Sequence, residues 1–300
     1  MTSLVRSAPR TLGSLGEVGP IAYGQWRYTT DDLDHAQGLL ETALDAGMNL
    51  IDTADVYGLD WGGTGFGAVE ALLGKVIARA PALRSRMVLA TKGGITPPTP
   101  YDSSPEWLRT AVDDSLRRLA VDVIDLYQIH RPDLYAHPAE VAATLAALRE
   151  AGKIREVGVS NHTTEQVRAL QAHLPFPLVS NQPEFSAVAL DPMRDGTFDH
   201  CMASGIVPLA WSPLAGGRLA TGEGLAPELV AVLDGLATRE AVDRGSIALA
   251  FVLAHPAAPV AIIGTQNPAR ITASLDALDV QLDRADVYAI VQASEGQPLP

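Results

Sequence analysis

The sequence predicts an α/β fold built from eight βα units, the organisation of a (β/α)8 TIM barrel in a single domain. Short apolar segments alternate with longer helical patterns along nearly the whole chain, as parallel strands and their crossover helices do. No low-complexity linker interrupts this alternation, so no domain boundary is placed within residues 1–300. Length alone would allow either one barrel or two smaller domains.

The predicted strands are short apolar segments that end in polar or aromatic residues. They cover residues 21–23, 50–52, 88–92, 124–129, 157–160, 178–181, 207–211 and 260–263. Residues 1–18 precede the first strand, and we expect them to form a short hairpin that closes the floor of the barrel.

The helices between the strands are predicted from apolar residues at helical spacing and from capping residues. Thr30 precedes a helix over residues 31–46 that Gly47 ends, and Ser104 with Pro105 begins a helix over residues 105–119. Further helices are predicted over residues 68–80, 138–151, 164–174, 191–203, 246–255 and 267–278. Residues 216–245 are too many for a plain connection, so we expect an extra helix over residues 226–243.

The composition excludes several classes of protein. The hydrophobic fraction of 47% and the charged fraction of 19% are typical of a globular chain. A net charge of −13 repels phosphate backbones and anionic lipid, so we expect neither nucleic acid nor a membrane as a partner, and we predict no protein partner. Cys201 is the only cysteine, which excludes a disulfide framework and suits a reducing compartment. Since the sequence has no signal-peptide pattern, it predicts a cytoplasmic protein.

Polar side chains stand at the carboxyl ends of the predicted strands, where the active sites of such barrels lie. Asp52, Lys92 and His130 end three strands, and Tyr57 follows five residues after Asp52. Burying these groups is costly unless they pair with one another. The sequence therefore predicts one polar network at this end of the barrel.

This set of residues suits the reduction of a carbonyl group. Hydride transfer leaves an alkoxide, which an acid with a pKa nearer to neutrality than the ~10 of tyrosine should protonate. Lys92, held charged by Asp52, is expected to lower the pKa of Tyr57 because a positive charge favours the phenolate. His130 is expected to orient the carbonyl oxygen. Tyr57 is therefore the predicted proton donor.

Seven segments resemble, in the same order, the signatures of the aldo-keto reductase superfamily. They are DTADVYG (52–58), ATKGG (90–94), LYQIHRPD (126–133), GVSNH (158–162), NQPEFS (181–186), AWSPLAGGRL (210–219) and IIGTQNPARI (262–271). The short tail is similar to that of bacterial members with a small C-terminal loop. The resemblance implies a barrel that reduces an aldehyde or ketone with a nicotinamide dinucleotide and without a metal. It also implies a catalytic tetrad of Asp52, Tyr57, Lys92 and His130.

The resemblance implies a set of cofactor-binding residues as well. These are Ser160, Asn161 and Gln182 at the nicotinamide carboxamide, Trp211 against the nicotinamide ring, Ser212, Leu214, Gly216 and Arg218 around the pyrophosphate, and Thr265 and Arg270 at the adenosine 2′-phosphate. NADPH is preferred mainly on the strength of Arg270. NADH remains an alternative, because Gly264 stands where many members carry a lysine. Trp26, in the loop after the first strand, is expected to line the pocket for a small-molecule carbonyl substrate.

Three alternatives remain open at this stage. A metal-dependent hydrolase would need about three convergent ligands, and His130 has no second histidine at a strand end. A non-catalytic nucleotide-binding barrel could retain the same tetrad. An NAD(P)-dependent sugar or pyridoxal-type dehydrogenase would use the tetrad in the oxidative direction. Neither the native substrate nor the oligomeric state follows from the sequence.

Overall fold

Eight parallel strands close into a barrel in the computed structural model, which describes residues 3–299. Residues 1, 2 and 300, at the ends of the predicted domain, lie outside the described residues. A two-stranded antiparallel hairpin precedes the barrel. In chain order the strands are β1 Arg10–Thr11, β2 Glu17–Val18, β3 Ile21–Gly24, β4 Leu50–Asp52, β5 Val88–Gly93, β6 Ile124–Ile129, β7 Ile154–Ser160, β8 Ser180–Gln182, β9 Val207–Ala210 and β10 Val260–Ile263.

Each barrel strand pairs with the next strand along the chain, and β10 pairs with β3 to close the barrel. The predicted (β/α)8 barrel and the predicted hairpin are therefore confirmed. Two strands begin at other residues than predicted. β8 begins at Ser180 instead of residue 178, and β7 begins three residues before the predicted position 157.

Helices surround the barrel and cover the outer face of its strands. They are α1 Leu33–Asp45, α2 Ala68–Arg79, α3 Pro105–Leu119, α4 Pro138–Glu150, α5 Thr164–Gln171, α6 Thr197–Ser204, α7 Arg218–Thr221, α8 Pro227–Glu240, α9 Arg244–Leu253, α10 Pro268–Ala273 and α11 Arg284–Glu295. Helix α8 confirms the extra helix before the last strand. In the part of the chain from residue 3 to residue 299, no helix combines the length and apolar character needed to cross a bilayer.

Several helix boundaries differ from the predicted ones. Asp32, rather than Thr30, caps α1, because its carboxylate accepts hydrogen bonds from the backbone N–H groups of Asp34 and His35. The predicted helix over residues 191–203 is divided, since Gly196 adopts a left-handed φ of 85° before α6. Helix α10 ends early and continues as a 3-10 helix over Ser274–Leu278.

The alternation of side chains along each strand separates an apolar lower interior from a polar upper one. Leu50, Val88 and Ala90 belong to the inner core, and Asp52 and Lys92 follow on the same face of β4 and β5 at spacings of two residues. Leu12 and Val18 of the hairpin segment pack into the same inner cluster from below. The barrel is therefore closed at its floor, and its polar residues collect at the carboxyl end of the strands.

Candidate active site

A buried ion pair forms the centre of the polar end of the barrel. The ammonium group of Lys92 lies 2.7 Å from Oδ2 of Asp52 and 2.8 Å from the carbonyl oxygen of Thr53. The same nitrogen lies 3.3 Å from the hydroxyl of Tyr57. Lys92 is fully buried, and Asp52 is 2% exposed. Because a buried charge is stable only with partners of this kind, the two side chains depend on each other.

The loop after β4 carries Tyr57 over the end of the barrel. The backbone N–H of Tyr57 donates to the carbonyl of Ala54 at 3.2 Å, and its own carbonyl accepts from the N–H of Val69 in α2 at 3.3 Å. Gly58 follows with φ 108°, and a Cβ there would lie 2.6 Å from the carbonyl oxygen of Gly65. Only glycine fits this turn. The fixed backbone directs the phenol of Tyr57 toward Lys92.

Charge and burial act against each other on these side chains. Burial alone would lower the pKa of Lys92, but the carboxylate of Asp52 and the phenol of Tyr57 hold the pKa above its ordinary value. Burial raises the pKa of Tyr57, and Lys92 offsets only part of this effect. The balance at Tyr57 thus differs from the expected lowering. A phenol with a raised pKa is fully protonated at neutral pH, which is the state that a proton donor needs.

His130 directly follows β6 and stands beside the phenol. The rings of Tyr57 and His130 meet edge to face, with centroids 5.8 Å apart. Burial, then the charges of Lys92 and Arg131, hold the pKa of His130 well below its usual range. Its Nδ1 atom is buried and has no hydrogen-bond partner among residues 3–299. A neutral imidazole in this position can donate one hydrogen bond to an oxygen placed next to Tyr57.

Two glutamine side chains complete the surroundings of Asp52. The Nε2 atom of Gln182 donates to Oδ1 of Asp52 at 3.0 Å, and that of Gln128 donates to the same oxygen at 3.3 Å. Sequence reasoning missed Gln128, although it lies two residues before His130 and so shares the inner face of β6. The amide nitrogen of Gln182 therefore faces the carboxylate of the tetrad.

Asn161 and Trp211 are joined at the rim. The Nε1 atom of Trp211 donates to Oδ1 of Asn161 at 2.9 Å, and Nδ2 of Asn161 donates to the hydroxyl of Ser160 at 2.8 Å. Asn161 holds this position with a left-handed φ of 56°. The hydroxyl of Ser160 donates in turn to the carbonyl of Gln182. This chain of hydrogen bonds fixes the indole at the edge of the site.

The loop from Ser212 to Arg218 contains four residues with positive φ, and the last three of them are consecutive. The φ angles are 52° at Ser212, 50° at Ala215, 72° at Gly216 and 104° at Gly217. The hydroxyl of Ser212 accepts from the N–H of Gly216 at 3.2 Å. Such a turn brings the backbone close to an anion, as the resemblance implies for a pyrophosphate. Arg218 starts α7 beside it and is exposed.

The last predicted cofactor residues lie beyond β10. The hydroxyl of Thr265 accepts from the N–H of Asn267 at 3.3 Å. Arg270 is exposed within α10, and Leu214 packs against the outer core from the Ser212 loop. From Trp211 to Arg270, the rim thus offers an indole, a glycine turn and two exposed guanidinium groups. These residues fit an extended dinucleotide with phosphate groups.

Trp26 is 42% exposed in the loop after β3 and contacts the loop after β4. Its Nε1 atom lies 3.1 Å and 3.2 Å from the two carboxylate oxygens of Asp60. The rings of Trp26 and Trp61 meet edge to face at 5.5 Å, and the guanidinium of Arg27 lies 4.1 Å from the Trp61 ring centroid. Sequence reasoning found Trp26 alone, because only the folded loops bring Asp60 and Trp61 to Trp26 and its neighbour Arg27.

Arg131 is a further residue that the sequence did not single out. Its guanidinium carbon lies 5.8 Å from the ring centroid of Trp211. After burial and Lys92, its charge adds to the lowering of the pKa of His130, and at Tyr57 it opposes the burial that raises the pKa of the phenol. Its position directly after His130 in the sequence could have indicated that it lies near the site. Among residues 3–299, no three histidine, cysteine, aspartate or glutamate side chains are grouped so that they could hold a metal ion.

A phenol, an ammonium group, a carboxylate and an imidazole thus stand together at the carboxyl end of a closed (β/α)8 barrel. The sequence model of the Aldo/keto reductase family matches residues 20–295. The chain belongs to this family, and it is an enzyme of this class.

Known relatives agree with this assignment. The chain is 50% identical over 295 residues to 6-dehydroglucose reductase of Novosphingobium aromaticivorans, with 97% of each chain covered. It is 35% identical to the 6-dehydroglucose reductase of Agrobacterium fabrum, covering 94% of this chain and 96% of the relative. A crystal structure of the thermostable aldo-keto reductase Tm1743 with the inhibitor epalrestat has a TM-score of 0.82 and 26% identity, and the match covers 95% and 99% of the two chains.

Proposed function

We propose that this enzyme reduces an aldehyde or ketone to an alcohol with NADPH, and that Tyr57 donates the proton. The observation that carries the proposal is the position of Lys92, 2.7 Å from Asp52 and 3.3 Å from the hydroxyl of Tyr57. A buried cation beside a phenol stabilises the phenolate that remains after proton donation. The geometry therefore supports acid catalysis at this phenol.

The dinucleotide supplies the hydride when it is bound. The substrate carbonyl oxygen lies between the hydroxyl of Tyr57 and the ring of His130, whose neutral imidazole donates a hydrogen bond to it. As negative charge develops on this oxygen, the phenol of Tyr57 transfers its proton and becomes a phenolate. Lys92 then faces two anionic oxygens, and Asp52 with its two glutamine donors keeps Lys92 charged. Each unit by which Lys92 lowers the pKa of the phenol corresponds to about 1.4 kcal/mol.

The cofactor-binding residues are proposed as the resemblance implies. Ser160, Asn161 and Gln182 would hold the carboxamide, and Trp211 would lie against the nicotinamide ring. The turn with Ser212, Leu214, Gly216 and Arg218 would bind the pyrophosphate. NADPH is favoured over NADH because Thr265 and the exposed guanidinium of Arg270 can receive a 2′-phosphate, and guanidinium groups bind phosphate through paired hydrogen bonds.

The substrate is proposed to be a small carbonyl compound that Trp26 helps to bind. Two relatives carry the name 6-dehydroglucose reductase, one of them at 50% identity over 97% of this chain. 6-Dehydroglucose is therefore the first aldehyde to test. The oxidative alternative has the same tetrad, so the reverse reaction of glucose with NADP+ belongs in the same experiment.

The test follows the loss of NADPH or NADH absorbance with 6-dehydroglucose and with butanal. Tyr57→Phe should reduce kcat at least a hundredfold, within the usual range of about 10² to 10⁴ for a positioned acid. Tyr288→Phe is the matched control, because Tyr288 lies on the exposed surface of α11. Full activity in Tyr57→Phe would refute the assignment of the proton donor. Binding of NADPH without turnover of any carbonyl would favour the non-catalytic alternative.

A further inference from the structure

Large exposed apolar side chains are concentrated on one half of the barrel mouth. Most of those in the described part of the chain lie in loops that follow β3, β4, β5 and β6; these are Trp26, Leu59, Trp61, Phe66, Tyr101, Leu134 and Tyr135. The residues proposed to bind the cofactor occupy the other half, after β7 to β10. Trp26 and Trp61 among them meet edge to face at 5.5 Å, and exposed apolar side chains in contact mark a candidate binding surface. The apolar half is therefore the substrate side of the mouth.

Within this half, four side chains form a compact group that we call the indole rim, namely Trp26, Arg27, Asp60 and Trp61. Trp26 and Trp61 remain 42% and 49% exposed although they contact each other. Asp60 is held by the Nε1 atom of Trp26, and Arg27 lies over the ring of Trp61. The rim thus combines accessible aromatic surface with one carboxylate and one guanidinium.

The indole rim adjoins the tetrad in the fold. Trp26 comes two residues after Gly24, which pairs with Asp52 across β3 and β4, and the N–H of Gln25 donates to the carbonyl of Asp52 at 2.9 Å. Asp60 is three residues beyond Tyr57 in the same loop. A substrate whose carbonyl oxygen reaches Tyr57 therefore extends its remaining atoms toward the rim.

We propose that the indole rim is a subsite for a polyhydroxylated aldehyde, that is, a sugar aldehyde. A sugar has apolar C–H faces that pack on an indole and hydroxyl groups around its edge. The carboxylate of Asp60 accepts hydrogen bonds from such hydroxyls, and Arg27 donates to their oxygens; hydrogen bonds to charged groups are the stronger kind. Across residues 3–299, the carboxylate of Asp60 accepts only from Nε1 of Trp26, and Arg27 donates to the carbonyl of Gly216 at 3.2 Å. A purely apolar aldehyde would displace water from both charged groups and offer no hydrogen bond in its place, which costs free energy.

This inference rests on the proposed function, since it identifies the substrate class of the same site. The test compares kcat/KM for 6-dehydroglucose with kcat/KM for butanal in the wild-type enzyme, Asp60→Asn and Trp61→Ala. The ratio of the two values should fall about tenfold in each variant, and mainly through KM for the sugar aldehyde. Asp122→Asn is the control, because Asp122 is exposed between α3 and β6, and its ratio should stay at the wild-type value.

Two results would overturn the proposal that the indole rim is a sugar subsite. One is an unchanged ratio in both rim variants. The other is a wild-type ratio that already favours butanal or an aromatic aldehyde over the sugar aldehyde.

A binding measurement separates failure of the subsite from failure of the proposed function. D-Glucose is titrated into wild type and Trp61→Ala, each with NADP+, while tryptophan fluorescence is recorded. Saturable quenching that Trp61→Ala removes would support sugar binding at the indole rim, even if no aldehyde is reduced. Absence of quenching in the wild type would refute sugar binding at the indole rim, whatever the turnover of simple aldehydes.

Discussion

The carboxyl group of Asp55 and the phenol of Tyr127 both lie against Gly93, on the outer side of the strand that carries Lys92. A Cβ at Gly93 would overlap the Tyr127 hydroxyl and would come within 3.1 Å of Oδ2 of Asp55. Both oxygens of Asp55 and the hydroxyl of Tyr127 are buried without a hydrogen-bond partner among residues 3–299. Burial, followed by the nearby carboxylate of Glu70, holds the pKa of Asp55 well above its usual range.

Asp55→Asn should therefore stabilise the protein at alkaline pH more than at acidic pH. The folded state holds the proton of Asp55 to a higher pH than the unfolded state, so its favourable contribution is complete below the unfolded pKa of about 3.9 and is lost as pH rises toward the raised folded pKa. Within that window the loss is up to about 1.4 kcal/mol per pH unit. The amide does not titrate.

The measurement is the urea midpoint of wild type and Asp55→Asn at pH 5 and pH 8. Asp122→Asn serves as an exposed control and should show the same small difference at both pH values. A gain from Asp55→Asn that shrinks between pH 5 and pH 8 would contradict the prediction.

Lys92→Met should destabilise the fold as well as abolish activity. It would leave the carboxylate of Asp52, which is 2% exposed, with two amide donors and no cation. Removing one partner of a buried pair costs about 3 to 5 kcal/mol. Adding Asp52→Asn should recover part of this loss, because the remaining charge is removed. Urea denaturation of both variants measures the effect, and a double variant no more stable than Lys92→Met would argue against the paired arrangement.

His130 should not titrate between pH 6 and pH 8. Its pKa is held well below the ordinary value of about 6.5, so the imidazole is neutral across this range. We expect kcat/KM to show no inflection near pH 6.5, and His130→Gln to lower kcat about tenfold or more while keeping that flat profile. An inflection near pH 6.5 that disappears in His130→Gln would show that the wild-type imidazole becomes charged.

Arg270→Ala should weaken the use of NADPH more than that of NADH. If the exposed guanidinium of Arg270 binds the 2′-phosphate, its removal should raise KM for NADPH about tenfold, equivalent to about 1.4 kcal/mol. KM for NADH should change less, because NADH lacks this phosphate. Arg284→Ala, at the start of α11, is the control. Equal changes in both KM values would assign Arg270 a role that does not involve the 2′-phosphate.

The barrel could be predicted because its strands are short, apolar and regularly spaced. The same regularity predicted that Asp52, Lys92 and His130 meet, since the carboxyl ends of parallel strands share one rim. Helix α11 was missed although its signal is present: Asp283 is a capping residue, and Val287, Ile290 and Val291 recur at helical spacing.

Features that depend on loop conformation could not be predicted. Asp60 and Trp61 are ordinary loop residues in the sequence, and only the folded loop brings them to Trp26. The raised pKa of Tyr57 is of the same kind, because desolvation depends on everything packed around the phenol. A sequence pattern can predict which opposite charges pair, but it cannot predict how deeply a side chain is buried.

The carboxylate of Asp52 has a consequence for how the enzyme loses its activity. Its partners come from other strands, with Lys92 on β5, Gln128 on β6 and Gln182 on β8, while Asp52 itself ends β4. One side chain thus links four strands of the barrel. The site cannot open independently of the wall that surrounds it, and inactivation by heat or denaturant should coincide with the collapse of the whole barrel rather than precede it.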